Sequence, residues 1–406
     1  MNISEKEKDK YIRFYLDSFI GTHEKTKGSR LRVTDMAFNM RKHIKNFSGN
    51  KDYLFSFPLF ASWNLTSACN FRCIHCLYNE TEYSRKDDLS TEQALNLADE
   101  LINAGIAFVQ LTGGEAFLRP DVMEIIRKFK KNNISLLLLT NGSLLTDDNI
   151  NEIAELFNPY TDTVQISLDA ATDETFRKIR RSDKFNIIND NIKKLIDKGV
   201  IVDNVCTINC LNKNEITDIY KLSKTLGTNK FLVGNINDYN DSHLNLDVSN
   251  EELFKIYYDL RQNGLDKSNI MAFWKDDKLL NMPEVQKIVE EPYYQSLIKK
   301  LYKKSLLKKD CQSHERIAIQ SDGRMYLCIT ALGYNLAPLG SYKENSFKEI
   351  WERRWDNILF QPRNREKSQC GNCKYNTFCN GGCKVKAYIN SGNVNMPAIP
   401  NCKGCC

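Results

Sequence analysis

The residues with the clearest chemical potential in this 406-residue chain are its 14 cysteines. Cys69, Cys73 and Cys76 form a C-x3-C-x2-C run in the loop that follows the first predicted strand. A cubane iron–sulfur cluster normally takes four thiolate ligands. A run of three leaves one iron without a protein ligand, and such an iron can bind a substrate or a cofactor. The run therefore indicates an enzyme and not only an electron carrier.

Two other interpretations of this run are open from the residues alone. The spacing i, i+4, i+7 is also that of one helix face, so the three cysteines can form a helical stripe. A zinc site with His75 as the fourth ligand is the second alternative, although zinc sites usually combine C-x2-C pairs. Both alternatives predict a structural role in place of chemistry at an open iron.

A second group of cysteines lies in the C-terminal quarter of the chain. The N-terminus is charged and lacks the apolar segment of a signal peptide, and no stretch approaches the ~18 to 20 apolar residues that span a bilayer. We therefore expect a cytoplasmic protein without membrane contact. Disulfides are rare in the reducing cytosol, which favours metal ligation by these cysteines. The seven members of this group are Cys311, Cys328, Cys370, Cys373, Cys379, Cys383 and Cys402.

The charge balance gives no reason to expect a nucleic-acid partner. The formal net charge is +6, which is modest for 406 residues. A lysine-rich stretch at 299–309 is interrupted by leucines and a tyrosine, a pattern that favours an amphipathic helix with a solvated face.

Strand-like apolar runs alternate with helical patterns from Leu59 onward. Strands separated by helices indicate βαβ units and a parallel sheet, so the predicted class is α/β. About six units can be counted, fewer than the eight of a closed barrel, and we predict a partial (β/α)6 barrel. The strand-like runs are residues 60–65, 108–111, 134–139, 164–168, 202–208 and 231–236, and the clearest helical patterns are 91–104, 121–131 and 187–198.

The composition divides the chain into four predicted parts. Residues 1–58 form a charged helical extension, and 59–250 form the partial barrel. Residues 251–309 are helical and polar and form a bridge. Residues 310–406 are rich in cysteine, glycine and asparagine and have little apolar core, so metal clusters are expected to stabilise this part.

The first cysteine run resembles the signature of the radical S-adenosylmethionine (SAM) superfamily. In that family an aromatic residue usually precedes the third cysteine, where this chain has His75. The resemblance implies a 4Fe–4S cluster whose open iron binds the amino and carboxylate groups of SAM. It also implies that an electron from the reduced cluster cleaves SAM to methionine and a 5′-deoxyadenosyl radical, which takes a hydrogen atom from the substrate.

Further segments resemble the SAM-binding motifs of the family. Gly113-Gly114-Glu115 is similar to its GGE motif, with Glu115 implied to accept from the SAM ammonium. Ser167 and Asp169 resemble a segment that contacts the ribose and methionine parts of SAM, and Arg180 matches an arginine that pairs with the SAM carboxylate. The alternatives are an ordinary turn for the glycines, a helix N-cap for Asp169 and a solvated helix face for Arg180.

The C-terminal cysteines resemble the seven-cysteine pattern of the SPASM domain, spacing by spacing. The resemblance implies two auxiliary 4Fe–4S clusters in addition to the SAM-binding one. One set of implied ligands is Cys370, Cys373, Cys379 and Cys402. The other is Cys311, Cys328 and Cys383, and no cysteine just before Cys311 completes it. Its fourth iron is either open to substrate or closed by Cys405 or Cys406.

Four cysteines remain unassigned by either pattern, namely Cys405 and Cys406 of the tail and a pair in the α/β part. Cys206 and Cys210 bracket the end of the fifth predicted strand. We expect Cys206 to be a small core residue and Cys210 to have access to the cavity.

The resemblance implies a function as well as a fold. SPASM enzymes mostly modify peptides, so we expect hydrogen abstraction from a ribosomally made precursor peptide and formation of a thioether or carbon–carbon cross-link. A reductant such as flavodoxin or ferredoxin and a separate leader-binding protein are the expected partners. The alternatives are an enzyme of cofactor or haem biosynthesis, a peptide epimerase, a zinc-stabilised scaffold and an electron-transfer protein.

Overall fold

The computed structural model describes residues 57–76, 85–236, 246–264, 287, 290–293, 296, 316–361, 363–364 and 381–398. All six predicted strands are present, and each predicted end lies within one residue of the observed end. They are β1 (Phe60–Asn64), β2 (Phe108–Thr112), β3 (Ser135–Thr140), β4 (Thr163–Ser167), β5 (Val202–Ile208) and β6 (Lys230–Asn235).

Helices connect these strands, and the first of them spans the predicted residues 91–104. Its N-terminus has a capping box, in which the Ser90 side chain accepts from Gln93 N, and it ends at Gly105 with φ of 88°. The helices of this part are α1 (Thr91–Ala104), α2 (Val122–Lys131), α3 (Asp147–Leu156), α4 (Asp173–Arg180), α5 (Phe185–Asp197), α6 (Ile216–Leu226) and α7 (Asn250–Gln262), with a short 3-10 helix at Ala116–Leu118.

The six strands pair in parallel and in sequence order, β1 next to β2 and so on to β6. Right-handed crossovers between strands placed in this order put every connecting helix on the same face of the sheet. The described strands do not close into a barrel, because β6 pairs only with β5. The predicted partial (β/α)6 architecture is confirmed.

Three strands from the C-terminal part extend the same sheet beyond β1. The strand β7 (Arg316–Ile319) pairs with β1 in parallel, and β8 (Arg324–Tyr326) and β9 (Gly340–Ser341) follow as antiparallel neighbours. The sequence did not predict this arrangement. The remaining described helices are α8 (Ile329–Gly333), α9 (Phe347–Glu352) and α10 (Lys384–Ser391), with a 3-10 helix at Arg353–Asp356.

Helices bury one face of the sheet, and no described connecting helix lies on the other face. Side chains alternate between the faces, as strand geometry requires. On the buried face Trp63 meets Phe129 of α2 edge to face, with ring centroids 6.4 Å apart. We call the other the open face, and half-buried residues from the ends of β1 to β5 line it. With the buried Asn64, they are Ser62, Gln110, Thr112, Leu137, Leu139, Gln165, Ser167, Val205 and Thr207.

The C-terminal part also contacts α1 and the segment before it. Glu100 of α1 accepts from Tyr342 Oη at 2.7 Å and from Phe347 N at 2.8 Å. Leu89 N donates to Ser321 O at 2.7 Å, and Lys343 Nζ donates to Asp87 O at 2.7 Å. These bonds fix the C-terminal strands against the first βαβ unit.

Several predictions fall on parts of the chain outside the described residues. The helical extension lies there except for residues 57 and 58, as do most of the bridge and the lysine-rich stretch at 299–309. The beginning of the bridge is helical, as predicted, in α7. Within the described residues, no helix combines the length and apolar composition needed to cross a bilayer.

Candidate functional site

The first cysteine run lies in the loop that follows β1, at the carboxyl end of the parallel strands. Residues 65–76 contain no helix, so the interpretation of the run as a helical stripe is wrong. Cys73 is buried, whereas Cys69 and Cys76 are half-buried. Ligands bind at this edge of open α/β sheets, so the thiols occupy the expected position for a site.

The glycine motif after β2 packs directly against this cysteine loop. Gly114 N donates to Thr66 O at 2.8 Å, and Glu115 N donates to Ala68 O at 2.8 Å. A Cβ atom on Gly114 would lie 2.2 Å from Ala68 O, and one on Gly113 would lie 2.6 Å from Thr66 O. The close approach that requires glycine is therefore to the backbone just before Cys69.

The thiols form an electrostatically coupled group. Burial raises the pKa of Cys69 to about 11, against the Phe71 N–H that lowers it, and Cys73 and Cys76 raise it further. Among the described residues, no three His, Cys, Asp or Glu side chains converge on one metal-ion position. A cubane distributes its thiolates over different irons, so its ligands need not converge as those of a single zinc do.

Glu115 is a buried carboxylate, 1% exposed, with three hydrogen-bond donors. It accepts from Thr140 Oγ1 at 2.7 Å, from Asn141 N at 2.7 Å and from Phe117 N at 3.1 Å. Burial raises its pKa, against the lowering effect of these donors. No ion pair to Glu115 is found within the described ranges, and a carboxylate has about four acceptor positions, so one remains for a cation such as an ammonium.

Asp169 and Arg180, two predicted SAM contacts, pair with each other. Arg180 Nη2 lies 2.5 Å from Asp169 Oδ2, and both side chains are buried. Thr172 provides the N-cap of α4, so the N-cap interpretation of Asp169 is wrong, and burial contradicts the solvated-face interpretation of Arg180. Burial alone would lower the pKa of Arg180, but Asp169 and Cys73 raise it above its ordinary value.

His75 belongs to the same cluster of charges. Its Nε2 atom lies 3.5 Å from Asp169 Oδ2, and its side chain is 11% exposed. An imidazole directed at this carboxylate gives no support to the zinc alternative, in which His75 is the fourth ligand.

The residues present fit the amino-acid portion of SAM. Arg180 Nε is buried and has no hydrogen-bond partner among the described residues, which leaves a donor for a carboxylate. Glu115 offers a buried negative charge for an ammonium. Ser167, at the end of β4, is half-buried on the open face next to this edge.

Sequence reasoning missed three residues that hold the cysteine loop in place. Asp88 accepts from Thr66 Oγ1 at 2.5 Å and from Ser67 N at 3.1 Å. Arg119 donates to Leu65 O and Leu89 O, and Asn70 accepts from Asn141 Nδ2 at 2.8 Å. No local pattern signals these contacts, because each pair is separated by 21 to 71 residues.

Of the seven C-terminal cysteines, the structure describes two. Cys328 follows β8 and accepts from Ala331 N at 3.4 Å at the start of α8. Cys383 stands at the N-cap of α10, and the next residue, Lys384, is buried and donates to Gln361 O at 2.7 Å. The other implied ligands, and the two cysteines of the tail, lie outside the described residues. They are Cys311, Cys370, Cys373, Cys379, Cys402, Cys405 and Cys406.

The two unassigned cysteines that the structure describes have different environments. Cys206 in β5 is fully buried, as predicted, and burial raises its pKa well above the ordinary value. Cys210 is half-buried, and its access to the cavity stays a prediction.

Two family models match the chain and together cover more than half of it. The radical SAM superfamily model matches residues 63–223, and the model of SPASM, an iron-sulfur cluster-binding domain, matches residues 311–374. The first range contains the cysteine loop, Glu115, Asp169 and Arg180. The second contains four of the C-terminal cysteines, namely Cys311, Cys328, Cys370 and Cys373.

Two curated proteins with different names are similar to this chain in sequence. The AdoMet-dependent heme synthase of Methanosarcina barkeri is 25% identical over 83% of this chain and 94% of its own length. The subtilosin biosynthesis protein AlbA of Bacillus subtilis is 31% identical, but the match spans 51% of this chain and about half, 46%, of AlbA.

A solved structure shares the architecture. Streptococcus suis SuiB, in a crystal structure with its precursor peptide SuiA, has a TM-score of 0.66 at 16% identity, over 90% of this chain and 80% of SuiB. At this identity the similarity concerns the fold. With both family models matched, this chain belongs to the radical SAM superfamily and carries a SPASM domain.

Proposed function

We propose that the protein modifies a ribosomally made peptide by radical chemistry. In this proposal Cys69, Cys73 and Cys76 hold the SAM-binding cluster, and Glu115 and Arg180 orient the amino-acid group of SAM. When bound, the cluster and SAM supply a 5′-deoxyadenosyl radical that abstracts a hydrogen atom. The product is a thioether or carbon–carbon cross-link, and the peptide loses two hydrogen atoms. One would go to the 5′-deoxyadenosyl radical, and the other would leave as a proton while its electron passes to an iron–sulfur cluster, so that SAM is the oxidant overall.

The observation that carries this proposal is the chemistry of the open face. The last two open-face residues of each strand from β1 to β5 are all uncharged, and most carry an amide or a hydroxyl group. Amides and hydroxyls both donate and accept, which matches the alternating N–H and C=O groups of an extended peptide. A substrate with several carboxylates is expected to meet arginines instead, because they bind carboxylates in a bidentate manner.

The chain's own residues have defined tasks in this chemistry. Asp88 and Arg119 hold the backbone on either side of Thr66, so that the loop presents its thiols from a fixed position. The apolar residues Leu137 and Leu139 lie among the polar groups of the open face and limit the access of water to a radical. The comparisons support a peptide substrate, since SuiB was solved with a precursor peptide and AlbA functions in bacteriocin biosynthesis.

A second candidate function is the synthesis of a haem-type cofactor. The match to the heme synthase of Methanosarcina barkeri favours it, because that match spans 94% of the relative. Peptide epimerisation is a third activity of the same general chemistry. Sulfatase maturation is a less suitable candidate. Sulfatase-maturing members of the family have an aspartate after the cysteine that corresponds to Cys328, and this chain has Ile329 there.

The experiment distinguishes a peptide substrate from a tetrapyrrole substrate. The reconstituted protein is incubated anaerobically with SAM, dithionite and peptides translated from short reading frames next to its gene, and in parallel with tetrapyrrole carboxylates. Loss of two hydrogen atoms from a peptide supports cross-linking, and deuterium uptake from D2O without mass loss indicates epimerisation. Turnover of the tetrapyrrole alone contradicts the proposal.

A pair of variants tests the role of the open face. Gln110→Glu and Gln165→Glu each place a charge among its neutral groups, and both are expected to lower peptide modification at least tenfold. Glu174→Gln, on the exposed side of α4, is the matched control and keeps full activity. Cleavage of SAM in the absence of peptide should continue in all three variants, because the hydrogen bonds described for the cysteine loop involve none of these residues.

A further inference from the structure

Arg180 donates to the sulfur atom of a predicted cluster ligand. Its Nη1 atom donates to Cys73 Sγ at 3.4 Å, while Nη2 pairs with Asp169. The side chain is 9% exposed, so water does not screen the contact strongly. The residue therefore places a permanent positive charge beside a thiolate.

The position of Arg180 is fixed from several sides. Asp169, its partner, also accepts from Thr207 N at 2.7 Å through Oδ1, which fixes the carboxylate to β5. Ile74 N, next to Cys73, donates to Ile179 O at 2.9 Å, which fixes the cysteine loop to α4. Helix α4 ends at Arg180, and its C-cap, Arg181, has φ of 51°. Arg180 therefore lies in the last turn of the helix, where a cation is favoured.

We propose that Arg180 raises the reduction potential of the cluster held by Cys73 and that Asp169 limits this increase. The proposal rests on the assignment of Cys73 as a ligand under the proposed function. One-electron reduction makes the cluster and its thiolates more negative, so a hydrogen bond and a positive charge at the sulfur stabilise the reduced form more than the oxidised form. Arg180 acts through the thiolate and is a positioning residue in this respect.

The geometry predicts shifts of opposite sign for the two partners. Loss of the guanidinium removes both the hydrogen bond and the charge, so the cluster becomes harder to reduce. Replacement of Asp169 by asparagine keeps an acceptor for Arg180 but removes the negative charge, so the charge of Arg180 is less compensated and the cluster becomes easier to reduce. If Arg180 and Asp169 had only a structural role, the two variants would not shift the reduction potential in opposite directions.

The test is a redox titration of the reconstituted full chain followed by EPR in the absence of SAM. SAM is added in a parallel sample to identify the signal of the SAM-binding cluster. In Arg180→Gln the ratio of reduced to oxidised cluster at a fixed potential should fall about tenfold, which for a one-electron couple corresponds to ~59 mV. In Asp169→Asn the ratio should rise, and in Arg177→Gln, an exposed arginine of the same helix, it should not change.

The outcomes are decisive in either direction. Unchanged potentials in both Arg180→Gln and Asp169→Asn, or shifts of the same sign, overturn the proposal. If Arg180→Gln does not load the cluster, two other variants still test the proposal. Arg180→Lys keeps the charge but loses the planar fork, so the reduction potential should fall by less than in Arg180→Gln. Asp169→Asn should raise the reduction potential. The iron content of Cys73→Ala tests the ligand assignment independently of the reduction potential. Normal iron loading in this variant would refute the assignment of Cys73 as a ligand.

Discussion

The cysteine loop after β1 and the C-terminal cysteine region are built in different ways. The loop is attached to a sheet whose buried face packs on six helices, and main-chain bonds from Gly114 and Glu115 fix it. The C-terminal elements are short: β8 has 3 residues, β9 has 2 and α8 has 5. Elements of that size bury little surface of their own.

The two sites obtain their stability from different sources. Around the first site the protein supplies it, because apolar burial and main-chain hydrogen bonds fix the backbone of the cysteine loop. In the C-terminal region the described thiols, Cys328 and Cys383, stand at helix starts beside small elements. Metal binding is expected to contribute folding free energy there directly.

The largest effect is expected from replacement of Cys69, Cys73 and Cys76 together by alanine. Formation of 5′-deoxyadenosine by the anaerobic, dithionite-reduced protein should be abolished, because no thiolate remains to hold the cluster. The fold should persist, since the loop is held through its backbone. Cys206→Ala, a buried cysteine of β5, is the control and should retain cleavage of SAM. Normal cleavage in the triple variant would refute the assignment.

Gly114→Ala tests the contact between the glycine motif and the cysteine loop. Its Cβ would lie 2.2 Å from Ala68 O, so the backbone must move, at a cost of about 1–3 kcal/mol or more. We expect loss of the EPR signal that responds to SAM, with the remaining cluster signals retained. Gly392→Ala meets no atom within 4 Å, so only the left-handed backbone, with φ of +69°, opposes it, at a cost of about 1–2 kcal/mol. Equal losses in both variants would contradict the steric argument.

Glu115→Gln tests the buried carboxylate as the partner of the SAM ammonium. A charge-assisted hydrogen bond of this kind contributes roughly 1.5–3 kcal/mol. SAM affinity, measured by equilibrium binding to the reconstituted protein, should fall about tenfold or more while the iron content is unchanged. An unaltered affinity would assign the ammonium to another group.

The smallest effect is expected at the contact between Tyr342 and Glu100. Tyr342→Phe removes one hydrogen bond between the C-terminal part and α1 and should lower the free energy of unfolding by about 1 kcal/mol, measured by denaturant titration. Burial and the Glu100 carboxylate raise the pKa of Tyr342. The stabilisation is therefore complete below the unfolded pKa of about 10 and is lost as the pH rises through the folded pKa. Tyr342→Phe has no phenol to ionise, so this part of the decrease in the free energy of unfolding at high pH should be absent from the variant.

The sequence predicted most of the strands because apolar runs and their helical spacers are local signals. The predicted range 91–104, which rests on helical periodicity, agrees with α1 to the residue, and in the structure Ser90 and Gly105 cap the helix at these ends. The pairing of Asp169 with Arg180 could not be predicted, since it depends on how the end of β4 meets the end of α4. The same holds for Asp88, whose role depends on a loop about 20 residues away in the chain.

The motifs alone do not show which of the predicted SAM contacts are already paired within the protein. Glu115 retains an acceptor for a ligand, whereas the carboxylate of Asp169 already has partners in Arg180, His75 and Thr207. A motif match identifies residues near a site, and only three-dimensional contacts show which of them remain available to a ligand. Contact of Ser167 or Asp169 with SAM stays a prediction.

The parallel pairing of β7 with β1 has a consequence for the order in which the chain can fold. Phe60 of β1 is opposite Arg316 of β7, so one of the earliest strands obtains its outer neighbour from a segment that is synthesised much later. Until then β1 is an edge strand with unpaired N–H and C=O groups, and such edges promote association between chains. Closing so long a loop also slows folding. A fragment that ends after β6 should therefore aggregate, although it contains the whole cysteine loop.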